Sequence, residues 1–267
     1  MARCSAAKAQ KNPKNNFMAP GDPYPQVEYG PKELPAASQA GEPTMSSSAP
    51  SKLSPTSYSS LKSHLEQFSY PVSPPGKSHD PTLTALIADI ALHPTLEAAL
   101  HLLNADLPSA HFLVRHMSSH PAVEGMLLHA ILHRIEGDYD NNRAWGRDVA
   151  AKDAHELEGS GVLVAIYPPV TPGEKDTMTV RERAAYASAC FLRLTDDVEA
   201  FCRGGKGDRG MLEGRCKEEM KRVMKWCEGK FGTGRWVDAS EAWVRPSQEV
   251  RDMGNDMVSG DKGWRKF

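Results

Sequence analysis

The chain has 267 residues and a formal net charge of −2, with acidic and basic residues mixed along the part expected to fold. That mixture leaves no basic stripe of the kind that tracks nucleic acid, so a nucleic-acid partner is not expected. No apolar run approaches the ~18 residues that a spanning helix needs, so a membrane partner is not expected either.

The N-terminal part differs in composition from the rest. Of the 20 prolines, 12 precede residue 81, and only Leu34, Leu53, Leu61 and Leu65 supply leucine there. Such a stretch buries too little apolar surface to offset its ordering entropy, so residues 1–80 are expected to be a disordered Pro/Ser-rich tail. Its first 20 residues carry Arg3, Lys8, Lys11 and Lys14 without an acid. They lack an amphipathic apolar face, which favours a plain basic end over a targeting peptide. Leu61–Tyr70 has the spacing for a turn or two of helix within the tail, and Pro71–Asp80 is expected to be a linker.

A single helical domain is expected over 81–267. Leu83, Leu86, Ile87 and Ile90 recur at helical spacing, as do Leu96, Ala99, Leu100 and Leu103 after Pro94. Breaks at Asn104–Asp106 and Ser118–Pro121 bound a helix with Leu107, Ala110, Leu113 and Val114. Val123–Ile135 is the next helix, Gly137-Asp138 a turn, and Tyr139 to about Ala150 a fourth. Val162–Tyr167 is apolar throughout and closed by prolines; it is expected to be an extended buried segment. Thr179 and Glu182 form a capping box opening a helix that Gly204-Gly205 stops. Met211–Cys227 is amphipathic, so 179–229 should hold two further helices. In the packed C-terminal segment 230–267, Trp236, Trp243 and Trp264 are expected anchors, with a short helix after Pro246-Ser247. The five cysteines are odd in number and never CxxC, which suits buried free thiols in a cytoplasmic or nuclear protein.

Residues 93–150 repeat with a shift of 32: Leu100 falls on Leu132, His101 on His133, and Asp106-Leu107 on Asp138-Tyr139. This helix–turn–helix period resembles that of tetratricopeptide repeats. Glu136–Asp140 looks like the loop joining the two helices of that motif, and Ala110 matches its small packing residue. The resemblance implies a mainly α fold of TPR-like helical hairpins, paired over 93–150 and capped by the C-terminal helices. The same stretch, HAILHRIEGDYDNNRAW, also resembles the signature of a family of uncharacterised, largely fungal proteins with an H-x-x-x-H-R-x-E-G-D-[YF]-x-N core. That resemblance covers about 60 residues and implies a helical fold without a defined activity. Here Gly146 stands where an aromatic residue is more usual, a departure expected to open a gap or shorten the fourth helix.

Seven of the ten histidines lie between His93 and His133. His129 and His133 are about 40° apart on a helix, and Glu136 falls about 20° to the other side of His129. Two imidazoles and a carboxylate at i, i+4 and i+7 make half a shell for a divalent metal such as zinc, or for iron. No glutamate follows the first histidine, so this is not the H-E-x-x-H pattern. In the tetratricopeptide alignment these histidines occupy packing positions, and Asn142 replaces a small alanine. Three readings are open: a wet helix face, a buried structural network, or a site to which Arg134, Asp138 and Asn142 add ligand contacts. The glycine-rich run 204–210 lacks the GK[ST] ending of a phosphate loop and is expected to be a connection.

Two functions follow as expectations. The first is a non-catalytic module that binds a protein or peptide. The alternative is an enzyme or small-molecule binder using His129, His133 and Glu136 around a metal.

Overall fold

The computed structural model describes residues 57–155, 161–169 and 178–244. Among them the protein is mainly helical, without a strand, as its leucine and alanine spacing predicts. No helix of the described residues is long and apolar enough to cross a membrane.

Two helical hairpins form the centre. The first joins α3 (Pro94–Leu103) to α4 (Leu107–Arg115), and the second joins α5 (Val123–Glu136) to α6 (Tyr139–His155). The 32-residue repeat extends to the backbone of their turns. Asp106 N–H donates to His101 O at 2.8 Å, and Asp138 N–H to His133 O at 2.9 Å. Asp106 Oδ1 then accepts from Ser109 N–H at 3.3 Å, and Asp138 Oδ1 from Asn141 N–H at 3.2 Å. Both aspartates thereby serve N–H groups that helix starts leave unpaired. Ala105 and Gly137, also 32 apart, both adopt the left-handed conformation, at φ 56° and 80°. Glycine enters that region freely, whereas alanine is strained there.

The packed protein begins earlier than its composition suggests. Residues 57–80, expected to belong to a disordered tail, are folded onto the hairpins, and residues 1–56 lie outside the described residues. Ser57 caps α1 (Tyr58–Leu65), which packs on α3 and buries Leu61 and Leu65. Tyr70 and Val72 are buried beyond it. The expected linker is also tied down: the Asn104 side chain accepts from Asp80 N–H at 3.0 Å and donates to Asp80 O at 2.9 Å. Fully burying a leucine contributes about 2–3 kcal/mol. Four well-placed apolar residues therefore outweigh the local proline content. α2 (Leu83–Asp89) follows and packs on α3.

On the other side, α8 (Val180–Gly204) packs on α6, and α9 (Arg209–Phe231) packs on α3 and α8. The Thr179–Glu182 capping box is present, and the run 204–210 connects α8 to α9, with Asp208 capping the latter. Val162–Tyr167 is not extended: Val162–Ile166 is a short helix, α7, with Val162, Leu163 and Ile166 buried. A continuous apolar run carries no period, so the neighbouring α8 and α9 decide its conformation. Gly146 opens no gap, because the Phe191 ring of α8 occupies the space a Cβ would take and α6 continues to His155.

Trp236 and Trp243 anchor the C-terminal segment as expected. Trp236 N–H donates to Ala91 O at 2.7 Å, its ring meets His93 edge-on, and Trp243 packs on His116. Trp264 and the helix expected after Pro246-Ser247 lie outside the described residues. Cys216 and Cys227 are buried free thiols, but Cys190 is half-buried and Cys202 exposed. Burial pushes the Cys216 thiol up to about 11, which leaves it an unreactive packing group.

Candidate functional site

α5 is buried around nearly its whole circumference, from Val123 to Ile135. The wet-face reading therefore fails for His129, His133 and Arg134, while Glu136 stays partly exposed. The polar residues divide into two groups on different sides of the helix.

Arg134 and Asn142, expected near a ligand, belong to the structural group. Arg134 forms a buried two-pronged ion pair with Glu219 of α9, and Tyr167 O–H donates to the same carboxylate. Burial opposes the Arg134 charge, yet Glu219 holds its pKa well above the ordinary value. Asn142 donates to Ala130 O at 2.7 Å and accepts from Thr195 Oγ1 at 2.8 Å, tying α5, α6 and α8 together. Asp138 is exposed and caps the start of α6. All three side chains have hydrogen-bonding partners within the fold.

The second group is a cluster of imidazoles. His129 and His133 are joined by His111 of α4, and one ring nitrogen from each of the three lies within 4.8 Å of the others. α4 packs on α5, so the cluster bridges the two hairpins. His129 and His133 stack at 4.7 Å between ring centroids, because residues four apart share a helix face. Trp145 of α6 stacks on His129 at 4.5 Å, and His111 approaches edge-on at 5.1 Å. His129 is only 6% exposed. His111 and Glu136 are partly exposed and form the open side.

Hydrogen bonding orders the protons. His133 Nδ1 lies 3.1 Å from Glu136 Oε2 and donates its proton to that carboxylate. His111 Nδ1 lies 3.7 Å from the other carboxylate oxygen, which favours the same tautomer electrostatically. His111 Nε2 then accepts from His129 Nε2 at 3.2 Å. This leaves His129 Nδ1 as a buried acceptor without a partner among the described residues. An unserved buried polar atom costs about 1–3 kcal/mol.

Burial, reinforced by His133, His111 and Arg115, pushes His129 down to about 3. His111 is lowered mainly by burial, with Glu136 opposing. Near neutral pH both rings are uncharged and can offer lone pairs. His129, His133 and Glu136 are thus brought together as their spacing predicts, but the set is completed by a residue that spacing misses. The density of histidine between 93 and 133 is the only sequence signal for His111, because its approach depends on the reversal between α4 and α5.

The fold and site define a helical protein with a three-histidine cluster at the seam between two repeated hairpins. No protein-family model, curated protein or solved structure matches the chain.

Proposed function

We propose that this is a binding protein whose ligand is held at the seam between the hairpins, around His111, His129 and His133. One observation carries the reading: three imidazoles converge at the seam, and one keeps a buried nitrogen that no described group serves. Leucines there would pack without that penalty, whereas the polar atoms of Arg134, Glu219 and Asn142 are all paired. His133 and Trp145 cover both faces of His129, which restricts the ligand to an ion or a compact polar group. A reducing compartment, cytoplasm or nucleus, fits the free thiols at Cys190, Cys202, Cys216 and Cys227.

The test is a thermal-shift panel of divalent cations, small carboxylic acids and small amides against the wild type and His111→Ala. At least one compound should raise the wild-type Tm and leave the variant unmoved. A panel without any wild-type shift would overturn the reading.

A second reading, a module that binds a protein or peptide, is favoured by Phe112. It is 55% exposed on α4 and packs with His116, which in turn meets Trp243. Exposed aromatic patches of this kind are contact surfaces. A peptide array probed with wild type and Phe112→Ala should show binders lost in the variant; identical profiles would remove this reading.

A further inference from the structure

We propose that the seam takes one divalent transition-metal ion, zinc in the first instance, with one ring nitrogen from each of His111, His129 and His133 as its ligands. Glu136 supports the imidazoles and does not bind the ion. This rests on the seam being the binding site and names the chemistry of its ligand.

The spacing fits. Zinc–nitrogen bonds of ~2.0–2.1 Å in a tetrahedron place ligand nitrogens about 3.3 Å apart. The His111 and His129 Nε2 atoms are 3.2 Å apart, and one ring nitrogen from each of the three histidines lies within 4.8 Å of the others.

The surrounding groups fit as well. Glu136 sits at the Nδ1 side of His133, 3.1 Å away, and leans toward Nδ1 of His111 at 3.7 Å. A carboxylate on the far nitrogen fixes the ring, turns Nε2 inward and makes it a better donor. This differs from the i, i+4, i+7 spacing alone, which counts Glu136 as a ligand. The carboxylate also offsets the ion's charge, against which Arg115 acts. Imidazole donors suit zinc, copper and nickel, whereas calcium and magnesium require oxygen donors. Three protein ligands leave a fourth position on the partly exposed His111 side, where water completes the shell.

The ion would join α4 to α5, so binding is coupled to the stability of the hairpin pair. The experiment uses untagged full-length protein, stripped with chelator and titrated with zinc chloride by calorimetry, with elemental analysis after dialysis. One ion per chain is expected. His111→Ala should weaken binding at least 100-fold, and Glu136→Gln about 10–100-fold with the stoichiometry kept at one. Cobalt(II) in place of zinc should give the intense visible bands of a four-coordinate site. His111 is partly exposed, so its alanine variant should fold, which circular dichroism in metal-free buffer checks. Wild-type binding that His111→Ala leaves unchanged would overturn the proposal, as would zinc binding below one-tenth of an equivalent. If zinc fails while a carboxylic acid or amide of the panel stabilises the wild type, this proposal falls and the broader reading stands. If nothing binds, both fall.

Discussion

Replacing Glu219 by glutamine removes one charge and almost no volume from the deepest polar contact in the protein. Arg134 and Glu219 each have a side chain only 1% exposed, and the guanidinium grips the carboxylate with both of its prongs. Without the carboxylate the guanidinium stays charged, because its pKa lies far above working pH, and it stays dry. Breaking a buried pair from one side costs about 3–5 kcal/mol. With a urea m-value of about 2 kcal/mol/M, the unfolding midpoint should fall by roughly 2 M. Replacing both partners, as in Arg134→Met with Glu219→Met, should recover much of that loss, since an apolar pair of similar volume needs no desolvation. The Arg134→Met single variant separates the contributions. Its orphaned Glu219 can shed its buried charge by taking up a proton, which Arg134 in the Glu219→Gln variant cannot do. Stability of the Arg134→Met variant relative to wild type should therefore improve as pH falls from 7 to 4. A Glu219→Gln deficit under 1 kcal/mol, or a double variant worse than both singles, would refute the reading of this pair as dry and mutually dependent.

Leu65→Ala should cost about 2–5 kcal/mol by denaturant unfolding, because Leu65 is buried against the hairpins; a loss under 0.5 kcal/mol would return residues 57–72 to the tail. Ala105→Gly should stabilise the protein by about 0.5–1 kcal/mol, since the left-handed backbone at φ 56° penalises a Cβ; a lower Tm would show that the turn holds it without strain. His93 is pushed down to about 4 by burial, with Glu124 opposing and Lys230 assisting, and its Nδ1 accepts from Thr95 N–H at 3.2 Å. The unfolded chain takes up this proton near pH 6.5 and the folded one only near 4, so stability should drop by about 1–3 kcal/mol across that window. His93→Gln should flatten that part of the pH profile; an unchanged slope would remove His93 as its source.

Where function depends on one helix, the sequence carries most of the information. His129, His133 and Glu136 share a stripe because successive residues advance about 100°, and they meet in space. The Thr179–Glu182 box and the aspartate caps are equally local, since donor and acceptor lie three residues apart. Other features required neighbours. Nothing local distinguishes Arg134 from a solvent-facing arginine until Glu219, 85 residues later, arrives beside it. Asn142 is similar, for its role is set by Ala130 O and Thr195.

Periodicity, turn residues and helix caps are short-range properties, so the chain by itself determined a mainly helical protein, two hairpins repeating every 32 residues, and two histidines and a glutamate on one stripe. Packing between distant segments decided the rest. It drew Leu61, Leu65, Tyr70 and Val72 into the core, coiled Val162–Ile166 into helix, and engaged Arg134 and Asn142 in structural bonds. It also carried His111 across the α4–α5 seam to complete the cluster. The physical reason is the same in each case: burial and desolvation depend on what lies opposite a residue in space, and no local pattern states that.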